Sequence, residues 1–402
     1  MRRVLVAGVS TRAAAESAAL AGFDVISLDA FGDLDQHAAV TTRVLPARFT
    51  AHAAARAARQ IECDAVAYLS NFENHPNAVR ALASGRALWG NAPAVLCRVR
   101  DPILLAATLG RRGFAVPAVH SGEPGTRNPE PGTLNLEPDA WLLKRLASGG
   151  GRCVRPWRRG TRVPRGCYLQ ALVDGVPASV VFVAASGQAV PIGVSRQLVG
   201  ERAFGATGYQ YCGSILTAAG DADHDRVIDN ACRLSCVVTE EFDLVGVNGV
   251  DFIARGQDAC AIEVNPRWSA SMELVEHAYG LSVFGAHAAA CADGVLPAFD
   301  LTAARRGARA VGKAVIFARQ DVVVGDTNPW LGSSARPARS SGPAPPALEI
   351  RDVPRPGERI ATGRPVCTVL ASGSDSAACH AALVQGAARV YAQLAGWARE
   401  VA

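Results

Sequence analysis

The chain has 402 residues, of which 49% are hydrophobic and 19% are charged. This length exceeds what one hydrophobic core usually supports, and the composition excludes an intrinsically disordered chain, so two or three packed units are expected. The formal net charge of +5 is mild and suits anionic small substrates at least as well as nucleic acid. We therefore expect no nucleic-acid partner.

Cysteine usage and hydropathy indicate where the protein works. The eleven cysteines follow no regular framework, and the closest pair, Cys232 and Cys236, has helical rather than metal-binding or redox spacing. Free thiols of this kind are typical of a reducing compartment. The apolar run that starts at Val4 is too short for a signal peptide, and no run is long enough to cross a bilayer. We expect a cytoplasmic protein without a membrane partner.

The first 92 residues alternate between apolar runs and helical segments. Strands are predicted at 3–9, 23–28, 64–68 and 88–89, and helices at 11–21, capped by Ser10, and at 77–83. This order predicts an open parallel α/β unit. Because Gly8 is a lone glycine without a G-x-G-x-x-G pattern, a dinucleotide site there is not expected.

Lys144, one of only two lysines, lies in an apolar strand that runs into the glycine loop 148–151. A lysine can meet phosphate oxygens as a point charge, while glycines let backbone amides approach the same phosphates. The segment therefore predicts a phosphate site. It follows a helix at 102–110 and a surface loop at 121–139, and it precedes an arginine-rich stretch at 152–165 that is more typical of a solvated surface.

The chain after the arginine-rich stretch predicts an antiparallel sheet, followed by further helices and strands. Strands are expected at 168–173 and 176–183 around a turn at Asp174–Gly175, and again at 249–253 and 259–264. Helices are expected at 222–242, with one buried face, at 272–279 and at 377–402. The stretch from 319 to 346 is rich in Ser, Pro, Arg and Gly and is expected to be extended or poorly ordered.

Two carboxylates, an amide and a guanidinium follow one another in the strands near residue 250. Asp251 lies at the first strand, and Glu263 and Asn265 share a face of the second because side chains alternate along a strand. Oxygen ligands of this kind suit Mg²⁺, which completes its octahedron with water and phosphates. Arg267 follows, and its planar guanidinium can bind a phosphate or a carboxylate. Taken singly, each residue is also typical of a polar strand end.

Taken together, these parts resemble the ATP-grasp superfamily, and within it the group related to biotin carboxylase and associated with methanofuran and tetrahydromethanopterin cofactor pathways. The resemblance implies an α/β and α+β ATP-grasp fold. Residues 1–92 would form a Rossmann-like pre-ATP-grasp domain. Residues 93–300 would form the grasp, with lobes at 93–165 and 166–300, and residues 301–402 a C-terminal extension similar to that of biotin carboxylase.

The resemblance also implies a site for ATP and two Mg²⁺ ions, with Mn²⁺ as a substitute ion. Asp251, Glu263 and Asn265 would hold the metal, and Lys144 and Arg267 would act on the transferring phosphoryl group. The remaining nucleotide contacts would be Ser148, Gly149, Gly150 and Gly151 in the loop, Gln170, Ala171, Leu172 and Val173 at the adenine, and Asp174 at the ribose.

Two positions depart from the family pattern. Gln170 stands where an acidic residue usually begins the adenine-binding hinge. The earlier nucleotide-binding lysine has no equivalent near Val99–Pro102, where Arg98 and Arg100 are both candidates to replace it.

The activity implied is ATP-dependent ligation of a carboxylate to an amine through an acyl phosphate. The segments at 195–197, 204–213 and 268–271 are candidates for the acceptor site, and glutamate with tyrosine or tyramine, in methanofuran-type cofactor synthesis, is the substrate hypothesis. A carboxylase acting through carboxyphosphate, a non-catalytic ATP-binding regulator and a purely structural protein stay open as alternatives. A homodimer also stays open.

Overall fold

The computed structural model describes residues 1–45, 49–121, 140–158, 161–220, 225–331 and 348–400. The predicted surface loop therefore lies outside the described residues from 122 to 139, and so does the predicted extended stretch from 332 to 346. Within the described ranges, no helix is both long and apolar enough to cross a membrane.

The N-terminal part is a five-stranded parallel sheet, as the alternation of strands and helices predicted. Its strands, in chain order β1 to β5, are Arg3–Ala7, Asp24–Asp29, Val40–Val44, Ala65–Tyr68 and Ala87–Trp89, and their order across the sheet is β3-β2-β1-β4-β5. The helices of this part are Arg12–Leu20, Ala51–Ala57 and Pro76–Leu82.

The first helix begins one residue later than the sequence predicted. Its N-cap is Thr11 rather than Ser10. The Thr11 hydroxyl and backbone N–H both donate to Asp29, at 2.7 Å each, which ties the helix start to the end of β2.

A small antiparallel sheet carries Lys144. Its strands are Val119–Ser121 (β6), Trp141–Arg145 (β7), Arg155–Trp157 (β8) and Cys167–Ala171 (β9), in the order β6-β9-β7-β8. The helices Pro93–Val99 and Pro102–Arg111 precede it, and Asp101 caps the second by accepting hydrogen bonds from the backbone N–H groups of Ile103 and Leu104.

Eight further strands form a large antiparallel sheet. They are β10 (Val176–Ala185), β11 (Gln188–Val199), β12 (Tyr211–Leu216), β13 (Gly246–Arg255), β14 (Asp258–Asn265), β15 (Ala310–Phe317), β17 (Glu349–Arg351) and β19 (Pro365–Gly373). Their order across the sheet is β14-β13-β10-β11-β12-β15-β19-β17. Strands from before and after residue 300 thus share one sheet, and the domain boundaries at 92 and 300 remain a prediction.

The turn predicted at Asp174–Gly175 does not form a hairpin. The strand before it, β9, belongs to the small sheet, whereas β10 belongs to the large sheet. Gly175 has φ +146, and a Cβ there would overlap the carbonyl oxygen of Ala254. The segment is therefore a crossing between two sheets, where a close backbone approach requires glycine.

The strands β16 (Val322–Val323) and β18 (Arg359–Ile360) pair in a separate two-stranded ribbon. Helices cover the faces of the large sheet. Leu234, Val238 and Phe242 are buried, which confirms the predicted apolar face of the helix that contains them. The helices after β12 are Ile228–Phe242, Ser271–Tyr279, Val283–Asp293, Leu301–Arg305, Asn328–Leu331 and Ser376–Glu400.

A buried arginine connects the N-terminal, central and C-terminal parts. Arg12 is 1% exposed, and its guanidinium lies 2.6 Å from Glu273, 2.7 Å from Asp352, 3.2 Å from Glu16 and 3.4 Å from Asp35. Burial alone would lower the pKa of Arg12, but the surrounding carboxylates raise it well above the usual value. The guanidinium therefore stays charged at the junction.

Replacing Arg12 with methionine should destabilise the protein by about 3–5 kcal/mol, because four buried or half-buried carboxylates lose the cation that compensates them. Urea unfolding followed by circular dichroism measures the change. Arg3→Met is the control, since the pair of Arg3 with Asp24 is exposed to solvent and should contribute little. Equal effects of the two substitutions would contradict this role of Arg12.

Candidate active site

The two predicted carboxylates lie directly opposite each other on neighbouring antiparallel strands. Asp251 of β13 is paired with Glu263 of β14, and Gly249 is paired with Asn265. A bulge follows Asp251 in the register. Because paired residues point to the same face of a sheet, both carboxylates and the Asn265 amide face one side of this edge.

Asp251 is held by neutral hydrogen-bond donors. Its carboxylate accepts hydrogen bonds from Gln197 Nε2 and from Asn265 Nδ2, both at 2.9 Å. Burial and, next, the charge of Glu263 raise the pKa of Asp251 to about 6, although hydrogen bonds from Asn265 and Ser179 act in the opposite direction. The carboxyl group of Asp251 therefore takes up a proton at a higher pH than an ordinary aspartate does.

Glu263 is held by cations instead. Its carboxylate forms a short ion pair with Arg100, which also donates to the carbonyl oxygen of Val264 at 3.0 Å. Burial would raise the pKa of Glu263, but the charges of Arg100, Lys144 and Arg267 outweigh burial and lower it. Glu263 therefore stays ionised.

Lys144 approaches Glu263 from the small sheet. It is 8% exposed, its Nζ donates to Gln170 Oε1 at 3.0 Å, and it lies 5.8 Å from the centre of the Tyr168 ring. Gln170 Nε2 in turn donates to the carbonyl oxygen of Ile262 at 3.2 Å, so it links the small sheet to the strand of Glu263. In this structure Gln170 positions the lysine through its side chain.

Arg267 is fixed by the N-terminal part of the chain. Its Nε lies 2.8 Å from Glu73 Oε1, and its Nη2 donates to Asn265 Oδ1 at 3.3 Å. The preceding carbonyl of Pro266 accepts hydrogen bonds from Tyr68 and Asn91, both at 3.1 Å. Glu73 Oε2 is buried and has no hydrogen-bond partner among the residues that the structure describes. Sequence reasoning missed these N-terminal contacts, because nothing local marks a partner nearly two hundred residues away.

Lys144, Arg100 and Glu263 line a cleft between the small and the large sheets, whereas Asp251, Asn265 and Arg267 are not among its lining residues. Its lining combines three cationic side chains with one carboxylate and several apolar side chains. The lining residues are Val99, Arg100, Pro102, Leu105, Lys144, Arg145, Leu146, Ser148, Tyr168, Ile262, Glu263 and Val264.

The glycine loop is docked against the segment before β12. The carbonyl of Gly150 accepts a hydrogen bond from the backbone N–H of Tyr211 at 3.0 Å. Gly150 and Gly151 have φ of +66 and +70, and a Cβ on Gly151 would overlap the carbonyl oxygen of Tyr209. Glycine is therefore required for this closed arrangement. In the arginine-rich stretch that follows, the described arginines are exposed.

The predicted adenine and ribose contacts are not among the residues that line this cleft. The backbone N–H groups of Ala171 and Leu172 donate to the carbonyls of Ala118 and Ala140, at 2.8 and 3.0 Å. Val173 is buried and Asp174 is exposed. The roles of 171–174 remain a prediction.

The donor set fits the metal that the sequence predicted. The described residues hold no group of three or more His, Cys, Asp or Glu side chains arranged for a metal ion, so a fully protein-ligated site is not present among them. Two carboxylates beside an amide nevertheless suit Mg²⁺, which usually keeps several waters and takes phosphate oxygens. Asp251 and Glu263 would be its protein ligands. The amide oxygen of Asn265, the third predicted ligand, accepts a hydrogen bond from Arg267 in this structure.

Replacing Gly151 with alanine should release the loop, because a side chain cannot fit against Tyr209 and the left-handed backbone is strained for alanine. We expect tryptic cleavage after Arg152 to become at least about fivefold faster, corresponding to roughly 1 kcal/mol or more of lost docking. Gly149→Ala is the matched control, since a Cβ at Gly149 meets no atom within 4 Å. Equal cleavage rates in the two variants would show that docking does not depend on Gly151.

Comparisons with known proteins bear on the fold of the chain. Residues 99–271 match the family model of the ATP-grasp domain. A search of curated proteins gives no match.

Solved structures share the fold over nearly the whole chain. The biotin carboxylase domain of Hydrogenobacter thermophilus 2-oxoglutarate carboxylase, solved with MgADP and bicarbonate, is 14% identical with a TM-score of 0.67, covering 93% of this chain and 86% of its own. The L-amino acid ligase of Bacillus licheniformis is 14% identical with a TM-score of 0.64, covering 96% and 97%. N5-carboxyaminoimidazole ribonucleotide synthetase of Thermus thermophilus is 18% identical with a TM-score of 0.65, covering 97% and 98%. The chain therefore has the ATP-grasp fold, with an ATP-grasp domain at residues 99–271.

Proposed function

We propose that the chain is an ATP-dependent ligase that joins a carboxylate to an amine. The observation that carries the proposal is that Asp251 and Glu263 lie opposite each other on one sheet face, with Lys144 beside Glu263 in the cleft. Carboxylates for a metal beside cations for phosphate are what phosphoryl transfer requires, because its catalysis is mainly positioning and electrostatic stabilisation.

The proposed reaction has two steps. An oxygen of the substrate carboxylate attacks the γ-phosphorus of ATP, the bond to the bridging oxygen breaks, and ADP leaves with that electron pair. The amine then attacks the acyl carbon of the acyl phosphate, phosphate leaves, and the amine loses a proton. Lys144 would hold phosphate oxygens, and Mg²⁺ would neutralise charge on the transferred group.

Arg267 is the proposed contact of the transferring phosphoryl group or the substrate carboxylate. Glu73 and Asn265 fix its guanidinium from two sides, so it is already oriented at the edge of the metal ligands. The amine would approach from the polar residues beyond Asp251, where Gln197 is hydrogen-bonded to Asp251 and the Tyr211 hydroxyl lies 2.9 Å from Ser214 Oγ. These residues belong to the predicted acceptor segments or adjoin them.

The finer proposal is that glutamate is joined to tyrosine or tyramine in the synthesis of a methanofuran-type cofactor. It rests on the resemblance described above and on the polar and aromatic character of the acceptor segments. Two ions at the metal site, Mn²⁺ as a substitute, a homodimer and a cytoplasmic location belong to the same proposal.

ADP release tests the proposed function. Purified protein is given ATP, Mg²⁺ and a panel of carboxylates and amines that includes glutamate, tyrosine and tyramine, and products are identified by mass spectrometry. We expect release to require Mg²⁺, a carboxylate and an amine, and to fall at least about 100-fold in Glu263→Gln. Glu240→Gln, which removes an exposed carboxylate, is the control and should retain full activity.

Two results would overturn the proposal. ADP release sustained by bicarbonate without an amine would identify a carboxylase, the activity named for the structural neighbour from Hydrogenobacter thermophilus. Tight ATP binding without turnover across the panel would instead identify a regulator.

A further inference from the structure

A second pocket lies on the N-terminal part of the chain, away from the candidate active site. It opens to solvent beside the helix Pro76–Leu82 and the turn Ala58–Gln60, and we call it the three-arginine pocket. Its lining residues are Arg59, Asn77, Arg80, Ala81, Ser84 and Arg86.

The three-arginine pocket lies where the strands of the N-terminal sheet begin. Arg86 directly precedes β5, and its guanidinium reaches the turn before β4. Glu73, which holds Arg267 in the candidate active site, follows β4, at the other end of these parallel strands. The pocket is therefore separate from the candidate active site, and the contacts proposed above for nucleotide, metal and acceptor use none of its residues.

Arg86 is fixed by backbone carbonyls rather than by a carboxylate. Its Nη2 donates to the carbonyl oxygens of Ala58 at 2.6 Å and Ile61 at 2.8 Å, and its Nη1 donates to that of Leu82 at 3.3 Å. Ala58 and Leu82 lie at the C-terminal ends of two helices, where a cation is favourable. Helix capping therefore explains the position of Arg86, while no acidic side chain neutralises its charge in the described structure.

Helix capping does not explain Arg59 and Arg80. Both residues are exposed, and within the described part of the chain neither is bonded to a backbone carbonyl or to a carboxylate. Arg80 Nη1 donates to Asn77 Oδ1 at 3.1 Å, about one turn earlier on the same helix. This bond orients the Arg80 guanidinium and leaves the NH₂ group of Asn77 to donate to a ligand.

No carboxylate balances the positive charge inside the pocket. Glu62 and Asp64 are the acidic residues that follow Arg59 most closely along the chain, and neither of them lines the pocket. By contrast, the arginines Arg3 and Arg112, outside the pocket, lie 2.6 and 2.7 Å from carboxylate oxygens. Like charges around one concave surface repel each other, and a bound anion would relieve that repulsion.

We propose that the three-arginine pocket binds a small phosphorylated anion, at a site distinct from the candidate active site. Arg59 and Arg80 would bind phosphate oxygens through their planar guanidinium groups, and Arg86, already fixed by the helix ends, would add a third positive charge. The inference goes beyond the proposed function and does not depend on it.

The donors in the pocket favour a phosphate group over a carboxylate. The Asn77 amide and the Ser84 hydroxyl add hydrogen-bond donors to those of the guanidinium groups. A phosphate monoester carries about two negative charges at neutral pH and more acceptor oxygens than a carboxylate, so it can use more of these donors. The arginines surround one pocket instead of forming a stripe, which favours a small molecule over the backbone of a nucleic acid.

Calorimetric titration of the full chain with pyrophosphate tests the inference. Mg²⁺ is left out, and the buffer contains about 0.15 M NaCl, which screens weak surface attraction. We expect saturable binding that weakens at least about tenfold when Arg59→Gln and Arg80→Gln are combined, because charge-assisted hydrogen bonds are lost. Each single substitution should cause part of this loss. Since both arginines are exposed and cap no helix, the substitutions should leave the fold intact.

Two controls separate this binding from other effects. Arg43→Gln removes the same charge from β3, at the opposite edge of the same sheet, and should bind pyrophosphate like the unmodified chain. Lys144→Gln alters the candidate active site and should retain the binding event that depends on Arg59 and Arg80. Failure of the unmodified chain to bind MgATP would count against the proposed function alone.

Four results would overturn the inference. Pyrophosphate binding that is absent in the unmodified chain, or equally strong after both substitutions, would show that the pocket binds no phosphate. An equal loss in Arg43→Gln would show that binding follows the net charge alone. A single-stranded DNA oligonucleotide that displaces pyrophosphate at a lower concentration would show that this surface binds nucleic acid instead of a small anion.

Discussion

The direct opposition of Asp251 and Glu263 is the constraint that organises the site. Like charges that face each other across two strands destabilise a sheet, and burial adds to that cost. The structure offsets the repulsion differently at each carboxylate. Asp251 receives neutral N–H donors and its pKa is raised to about 6, whereas Glu263 is kept ionised by the nearby cations. A bound divalent cation would relieve the remaining repulsion between the two carboxylates, and binding such a cation is the role proposed for them.

The candidate active site takes residues from several parts of the chain. The small sheet contributes Lys144, the large sheet contributes both carboxylates, and the N-terminal part contributes Glu73, which holds Arg267. Arg12 joins the N-terminal part to the helix Ser271–Tyr279 through Glu273, and to the segment after β17 through Asp352. Ligand binding at the cleft is therefore expected to respond to changes at these junctions, since they set the relative positions of the contributing elements.

Much of the site could be predicted from the sequence because its strongest signals are local. Two consecutive strands and a period of two are enough to bring Asp251 and Glu263 together. Sheet membership is not local, so the turn signal at Asp174–Gly175 suggested a hairpin where the chain crosses between sheets. Which of Arg98 and Arg100 faces the cleft likewise depends on how a helix packs against a strand more than 150 residues away, which no local pattern records.

A crystal structure with Mg²⁺ and a non-hydrolysable ATP analogue tests the central claim most directly. The account predicts Mg²⁺ at about 2.0–2.1 Å from carboxylate oxygens of both Asp251 and Glu263, with phosphate oxygens of the analogue on Lys144. A nucleotide bound elsewhere, or a metal ion that contacts neither carboxylate, would contradict it.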